Sequence, residues 1–310
     1  SDVFFDELSI PKPDYYLGLG GGNHGEMTGK MLESIEKVML VEQPDMVLVY
    51  GDTNSTLAGA LAAVKLHIPV AHIEAGLRSF NRKMPEEINR ILTDHASEML
   101  FVPTEIARKN LMKEGLPAKR IYCVGDVMLD ASLFYRDRAR QPAFFEEHSL
   151  TAGDFILATI HRAENTDSPK RLTAILRALG SAEQRVVLPL HPRTLQMVEK
   201  LGIILSSSIL ITEPVGYLEM VWLEAHASLI ATDSGGVQKE AFFHRKPCIT
   251  LRDETEWVEL VEAGWNKIVG ADEDRISEAI LQSYTPVSMQ TLYGEGDAAE
   301  KIVNIMKSTI

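Results

Sequence analysis

The sequence predicts an α/β protein of two doubly wound, Rossmann-like domains facing each other across a cleft. Short apolar runs alternate with amphipathic stretches of helical period along most of the chain, the mark of parallel strands buried on both faces. A charged stretch, residues 136–154, carries Pro142 and Gly153, lacks an apolar period and divides the pattern into two sets. The expected boundaries are 1–138, 139–293 and, for a last helix with no strand after it, 294–310. That helix is expected to pack back on the first domain.

The first domain reads as follows. Residues 1–10 suit a short amphipathic helix, stopped by Pro11 and Pro13. The chain opens at Ser1 in mid-pattern, so a first strand is expected upstream. Gly20, Gly22 and Gly25 match the dinucleotide-loop spacing, but no proper strand leads into them, so a plain loop is the better reading. Met27, Met31, Ile35, Val38 and Met39 recur at helical spacing over 26–42 and read as core. Strands are expected at 46–50, 69–74, 99–102 and 120–124. Helices are expected at 56–66, from Pro85, at 104–114 and at 128–135. Pro85 at a first-turn position with Glu86 and Glu87 behind it is a sound helix start.

The second domain repeats the alternation. Its strands are expected at 155–160, 185–190, 208–212, 229–232, 248–251 and 267–269. Helices are expected at 168–179, 193–201, 216–225, 237–244, 256–262 and 273–284. The last helix, 297–310, presents Ile302, Val303 and Met306 on one side.

Composition narrows the class. The 310 residues are 45% hydrophobic and 24% charged, enough for a large core. The net charge of −13 argues against general nucleic-acid binding, so an anionic ligand needs a local basic pocket. No run approaches the ~18 apolar residues of a membrane span, and nothing resembles a signal peptide. Cys123 and Cys248 lie in apolar runs and read as buried thiols, which favours the cytoplasm.

Three groups of residues stand out at strand ends. The first is Asp233-Ser234-Gly235-Gly236 between a strand and a helix. Free N–H groups and the positive dipole end suit a phosphate there, two glycines allow close approach, and Glu240 one turn on suits sugar hydroxyls. The second comprises Asp52, Glu74 and Glu86. Each alone is better read as a cap or an ion pair, Asp52 as the cap of the 56–66 helix and Glu86 paired with Arg90 at i, i+4. Three on one rim suit divided acid and base roles. Arg78 and Arg90 are the nearby cations. The third is His161-Arg162 and His191-Pro192-Arg193 at successive strand ends, a fitting lining for a diphosphate. The histidines lack metal-ligand spacing, so no metal is expected.

These motifs, in order, resemble the non-hydrolysing UDP-N-acetylglucosamine 2-epimerases: Gly51-Asp52-Thr53, His72-Ile-Glu74-Ala-Gly-Leu-Arg78, Pro85-Glu86-Glu87-x-Asn89-Arg90, His161-Arg162-x-Glu164, Asp233 to Glu240, and Arg252-Asp253. The resemblance covers essentially the whole chain. It implies a GT-B type fold and reversible inversion at C2 of a UDP-2-acetamido sugar, a precursor of cell-surface polysaccharide. UDP is expelled to give a 2-acetamidoglucal and then adds back. No redox cofactor or metal is implied, and a homodimer is. Carried over by position, Asp52, Glu74, Glu86 and His161 are the catalytic residues. Arg78, Arg90, Arg162, His191, Met220, Ser234, Gly235, Gly236, Glu240 and Arg252 are the substrate-binding set, with Met220 where an aromatic usually lies near the uracil.

The chain departs from the family in several further places. The Gly-Thr-Arg-Pro-Glu turn and the Gln-His pair associated with substrate activation are not in it. Residues 253–259 replace the commoner Asp-Thr-Thr-Glu-Arg-Pro-Glu. The loop before Pro85 is short and basic, with Asn81, Arg82 and Lys83, as in the subgroup acting on UDP-2,3-diacetamido-2,3-dideoxyglucuronate. Both substrates stay open at this point. Rival classes are a GT-B glycosyltransferase and a non-catalytic UDP-sugar binder.

Overall fold

The computed structural model describes Phe5, residues 7–282 and residues 291–309. In chain order its elements are α1 (His24–Glu42), β1 (Val47–Tyr50), α2 (Asn54–Lys65), β2 (Val70–Ile73), α3 (Pro85–Ala96), β3 (Met99–Val102), α4 (Glu105–Lys113), β4 (Ile121–Cys123) and α5 (Val127–Arg136). There follow α6 (Ala143–Glu147), β5 (Phe155–Thr159), α7 (Ala163–Thr166), α8 (Pro169–Gly180), β6 (Arg185–Pro189), α9 (Pro192–Lys200), β7 (Ile209–Thr212) and α10 (Tyr217–His226). The chain ends with β8 (Leu229–Thr232), α11 (Gly235–Phe243), β9 (Cys248–Thr250), α12 (Val258–Glu262), β10 (Asn266–Ile268), α13 (Glu273–Leu281) and α14 (Ala298–Thr309).

Contacts divide the described residues into two compact units, Lys12–Asp130 with Thr291–Ile310, and Ala131–Gln290 with Ser1–Pro11. The first holds a parallel sheet in the order β1-β2-β3-β4. β2 and β3 are fully buried, so they carry apolar residues on both faces. α14 closes this unit. Its first N–H groups, of Ala298 and Ala299, donate to the Asp130 carboxylate, and Ile302 enters the core beside Ala71 and Phe101. Ile305 and Met306 accompany it, whereas Val303 faces solvent. The turn before α5 requires glycine. Gly125 has φ +94°, and a Cβ there would stand 2.8 Å from the Tyr293 carbonyl.

The second unit holds six parallel strands in the order β10-β9-β8-β5-β6-β7. Its chain starts at β5, moves outward through β6 and β7, then returns to β8 on the other side. The carboxyl ends of β5 and β8 are therefore the switch point of a doubly wound sheet, where ligands of such folds sit. The first sheet runs in chain order, and no such reversal occurs among its described strands.

Several expectations change. Cys123 is exposed, because it ends the edge strand β4, while Cys248 is buried in β9. Thr53, not Asp52, caps α2, accepting from the Thr56 N–H. The charged stretch 136–154 contains the short helix α6, whose Phe145 packs on Phe155 and Trp222. Glu7 packs within the second unit. Its carboxylate accepts from the N–H groups of Tyr217 and Leu218, since the N-cap of α10 is Gly216, which has no side chain to do so. Residues 1–4 and 6 of the expected first helix, and 283–284 of the helix expected at 273–284, lie outside the described residues.

Candidate active site

In the first unit β1 and β2 are in register with Tyr50 opposite Ile73, so the turns that follow them emerge side by side. Asp52 lies in one turn and Glu74 begins the other. Both turns are left-handed at one residue, Gly51 at φ +63° and Glu74 at φ +66°. For a glutamate this costs of order 1 kcal/mol, and it turns the side chain away from the strand direction. A Cβ on Gly51 would lie 3.4 Å from a Glu74 carboxylate oxygen, which shows how near the two turns are.

Asp52 is held from α3. Arg90 Nη2 donates to its Oδ2 at 2.6 Å, and Asn89 Nδ2 donates to its carbonyl at 2.9 Å. Burial pushes the Asp52 carboxyl above the usual range. Arg90 pulls it down, and the charges of Glu74 and Glu86 push it up again. Glu74 and Glu86 are thus near enough for their charges to act on Asp52. Arg90 pairs through its other arm with Glu87, at 2.5 Å, and not with Glu86 as the i, i+4 spacing suggests. Glu87 is buried and accepts from Ser79 N–H, Ser79 Oγ and Phe80 N–H, which ties the basic loop to α3. Glu86 is left partly exposed on the same first turn.

Below these acids lies a buried charge chain that spacing does not reveal. Asp94 Oδ1 meets His72 Nδ1 at 2.7 Å, and its Oδ2 meets Arg78 Nη1 at 2.8 Å and the Gly76 N–H at 3.1 Å. Arg78 closes the chain with a two-armed pair to Glu114, both arms at 2.7 Å. Arg78 is thus buried with its guanidinium committed to Asp94 and Glu114, whereas its expected contact with substrate needs a free arm.

The second unit supplies the switch point. Asp233, fully buried at the end of β8, accepts from the N–H groups of His161 and Arg162 and from Asn165 Nδ2 at 2.9–3.2 Å. One carboxylate therefore ties the loop after β5 to the turn after β8. Thr159 and Thr232, the last residues of those strands, share a hydroxyl hydrogen bond at 2.6 Å. Ser234 is the N-cap of α11 and accepts from the Val237 N–H. The N–H groups of Gly235 and Gly236 lie in the first turn, where the helix offers no carbonyl to receive them. Both glycines are half-buried, and the imidazole of His161 is exposed. This is an anion-accepting corner of backbone donors at a positive dipole end.

The remaining expected residues divide. Glu240 is buried on α11 and takes a hydrogen bond with the Tyr217 side chain. His191 caps α9, its Nδ1 accepting from the Arg193 N–H at 3.2 Å. Met220 packs partly buried against the core around Phe145 and Leu223. Arg252 is buried and makes a two-armed pair with Glu256 at 2.9 and 3.2 Å, so the altered 253–259 segment keeps its own partner for that arginine. Among the described residues no group of three His, Cys, Asp or Glu is placed to hold a metal. Sequence reading left out Asp233, Asn165, Asn89 and Asp94 as site residues. Asp233 and Asn89 lay inside quoted motifs, but a buried carboxylate that collects backbone donors has no signature of its own.

Comparison with known proteins gives these elements a family setting. A family model described as UDP-N-acetylglucosamine 2-epimerase matches residues 1–307. The UDP-2,3-diacetamido-2,3-dideoxy-D-glucuronate 2-epimerase of Pseudomonas aeruginosa is 56% identical, over 99% of this chain and 87% of its own. The UDP-N-acetylglucosamine 2-epimerase of Methanocaldococcus jannaschii is 46% identical, over 98% and 86%. The crystal structure of the latter in complex with UDP-GlcNAc and UDP matches with a TM-score of 0.90, covering 99% of this chain and 88% of that one. The Neisseria meningitidis enzyme bound to UDP-GlcNAc matches at 0.87 with 32% identity, covering 98% and 87%.

Proposed function

The chain belongs to the UDP-N-acetylglucosamine 2-epimerase family, with its GT-B type α/β fold, and we propose that it catalyses reversible C2 epimerisation of a UDP-2-acetamido sugar. The observation that carries the reading is the anion corner at the β5–β8 switch point, where Asp233 gathers the loops and α11 presents its N-terminus. In this reading the diphosphate rests on the Ser234–Gly236 turn and His161, with Arg162 and His191 beside it. Glu240 accepts from the ribose hydroxyls, and Met220 and Arg252 frame the nucleotide end. The backbone N–H groups stabilise the charge that grows on the β-phosphate as the C1–O bond breaks.

Proton transfer falls to Asp52, Glu74 and Glu86. Removing a proton from one face of C2 and returning it to the other needs two differently placed carriers, and carboxylates from two turns and a helix start supply them. Loss of the C2 proton and of UDP leaves a 2-acetamidoglucal. Re-addition of UDP and protonation from the opposite face complete the inversion. Cys123 and Cys248 are not joined in a disulfide, which favours the cytoplasm as the working compartment, and a homodimer fits the family. The test is UDP-N-acetylglucosamine carrying ¹⁸O between C1 and the β-phosphate. Departure of UDP scrambles the label into non-bridging positions and yields UDP-N-acetylmannosamine without free sugar. Retention of the label in active protein contradicts the reading.

A second reading concerns the sugar. The 56% identity to the P. aeruginosa enzyme and the exposed Arg82 and Lys83 beside Glu87's loop favour a UDP-2,3-diacetamido uronate. Its extra carboxylate would pair with one of those cations.

A further inference from the structure

His72 lies in the middle of β2, two residues before Glu74, and is wholly inaccessible to solvent. Its Nε2 is 2.7 Å from the Gly51 carbonyl oxygen. A carbonyl only accepts, so Nε2 carries a proton. Its Nδ1 is 2.7 Å from Asp94 Oδ1. Asp94 also takes Arg78 and the Gly76 N–H on its other oxygen, so it is ionised and Nδ1 is protonated as well. His72 is thus an imidazolium buried between two acceptors. Asp94 faces both His72 and Arg78, and Arg78 faces Glu114 beyond.

The two ends of this arrangement meet the two turns that carry the acids. Gly51, whose carbonyl His72 holds, directly precedes Asp52. Gly76, whose N–H Asp94 holds, closes the turn opened by Glu74. Gly76 has φ +80° and its Cβ position lies 2.4 Å from the Ala107 carbonyl, so that turn admits no other residue and depends on its hydrogen bonds for its path. Asn110 Nδ2 supports it from α4, donating to the Gly76 carbonyl at 3.0 Å.

We infer that His72 and Asp94 are positioning residues of the reaction, a buried imidazolium–carboxylate pair that fixes the Asp52 and Glu74 turns relative to each other from beneath. The inference rests on the reading that those two acids move protons. Around His72 the facing groups are Asp94 on α3, the Gly51 carbonyl after β1, Glu74 on its own strand end, and Arg78 and Glu114 one contact further out. Burial disfavours its charge, but Asp94, the Gly51 carbonyl and Glu74 outweigh that and raise its pKa.

The test uses the full chain and the variants His72→Gln and Asp94→Asn. It reads C2 hydrogen exchange in D₂O, UDP binding and thermal unfolding. The expected result is a loss of kcat of about 10- to 100-fold, as for a misplaced catalytic group. KM and the UDP Kd should stay within about 2-fold, and in His72→Gln the acid limb of the kcat profile should move to higher pH as the nearby carboxylates lose a cation. Wild-type kcat and an unmoved profile in folded variants overturn the inference. Absence of exchange in the wild type overturns the proposed function instead. Wild-type protein labelled with ¹⁵N-histidine gives a measure that needs no variant. His72 is expected to keep both ring protons above the ordinary histidine value of about 6.5, and titration at or below that value contradicts the assignment.

Discussion

Arg90 reaches across from α3 to hold Asp52 with one guanidinium arm and Glu87 with the other. Asp52 therefore has its position and its proton affinity set by the same group. Burial drives its carboxyl pKa up, and Arg90 restrains the rise. Replacing Arg90 with Met removes the restraint, so Asp52 protonates at higher pH. The acid limb of the kcat/KM profile should move up by about one unit or more. A pH–rate series on folded R90M checks this, and an unmoved limb separates Asp52 from the observed ionisation.

The direct substitution is Asp52→Asn, which keeps the shape and removes the proposed proton carrier. Epimerisation should fall by roughly 10²- to 10⁴-fold with UDP affinity unchanged. Steady-state kinetics with UDP titration in a calorimeter measures both.

Asp233 anchors the corner proposed to hold the phosphate without touching solvent. Asp233→Asn turns one carboxylate oxygen into an NH2 that faces either the His161 N–H or the Arg162 and Asn165 donors, at a cost of about 1–3 kcal/mol. UDP binding should weaken at least about tenfold as the β5 and β8 loops part, and the unfolding midpoint should fall. Calorimetric binding that matches the wild type would remove Asp233 from the corner.

Glu224 offers a stability test away from the chemistry. It is fully buried on α10, neither oxygen has a hydrogen bond, and the neighbouring His244 Nε2 is 3.7 Å away. Burial first, and the Glu240 charge second, push its carboxyl well above the usual range, while burial holds His244 at about 4. A carboxyl raised on folding binds its proton more tightly folded than unfolded. Its stability contribution is therefore present at low pH and lost as pH rises above the unfolded value of 4.5. Glu224→Met should raise the unfolding midpoint at pH 8 more than at pH 5. An equal gain at both would refute the buried protonated carboxyl.

For the sugar, Arg82→Ala should cost the uronate substrate far more activity than UDP-N-acetylglucosamine. Equal losses on both would leave the exposed loop cations without a role in recognition.

Much of this was legible in the chain because its signals are local. The buried strands read as apolar runs such as Leu229–Thr232, and the Ser234-Gly235-Gly236 turn announces a helix start. What was hidden depends on packing between distant segments. His72 and Asp94 are 22 residues apart and meet only because α3 lies against β2. Arg90 chose Glu87 over Glu86 because Glu87 points inward to the Ser79 loop. Val303 fits the apolar face of α14 by period, yet Ile305 takes the inner place. Cys123 sits in an apolar run, but an edge strand leaves it exposed.

The central claim is that this chain breaks and remakes the C2–H bond of a UDP-sugar with no acceptor present. Incubation of the protein with UDP-N-acetylglucosamine, and separately with the diacetamido uronate, in D₂O measures it directly by proton NMR. The account predicts loss of the C2 proton signal from at least one of the two sugars together with appearance of the epimer. Retention of that proton in both sugars, by folded protein that binds UDP, would contradict it.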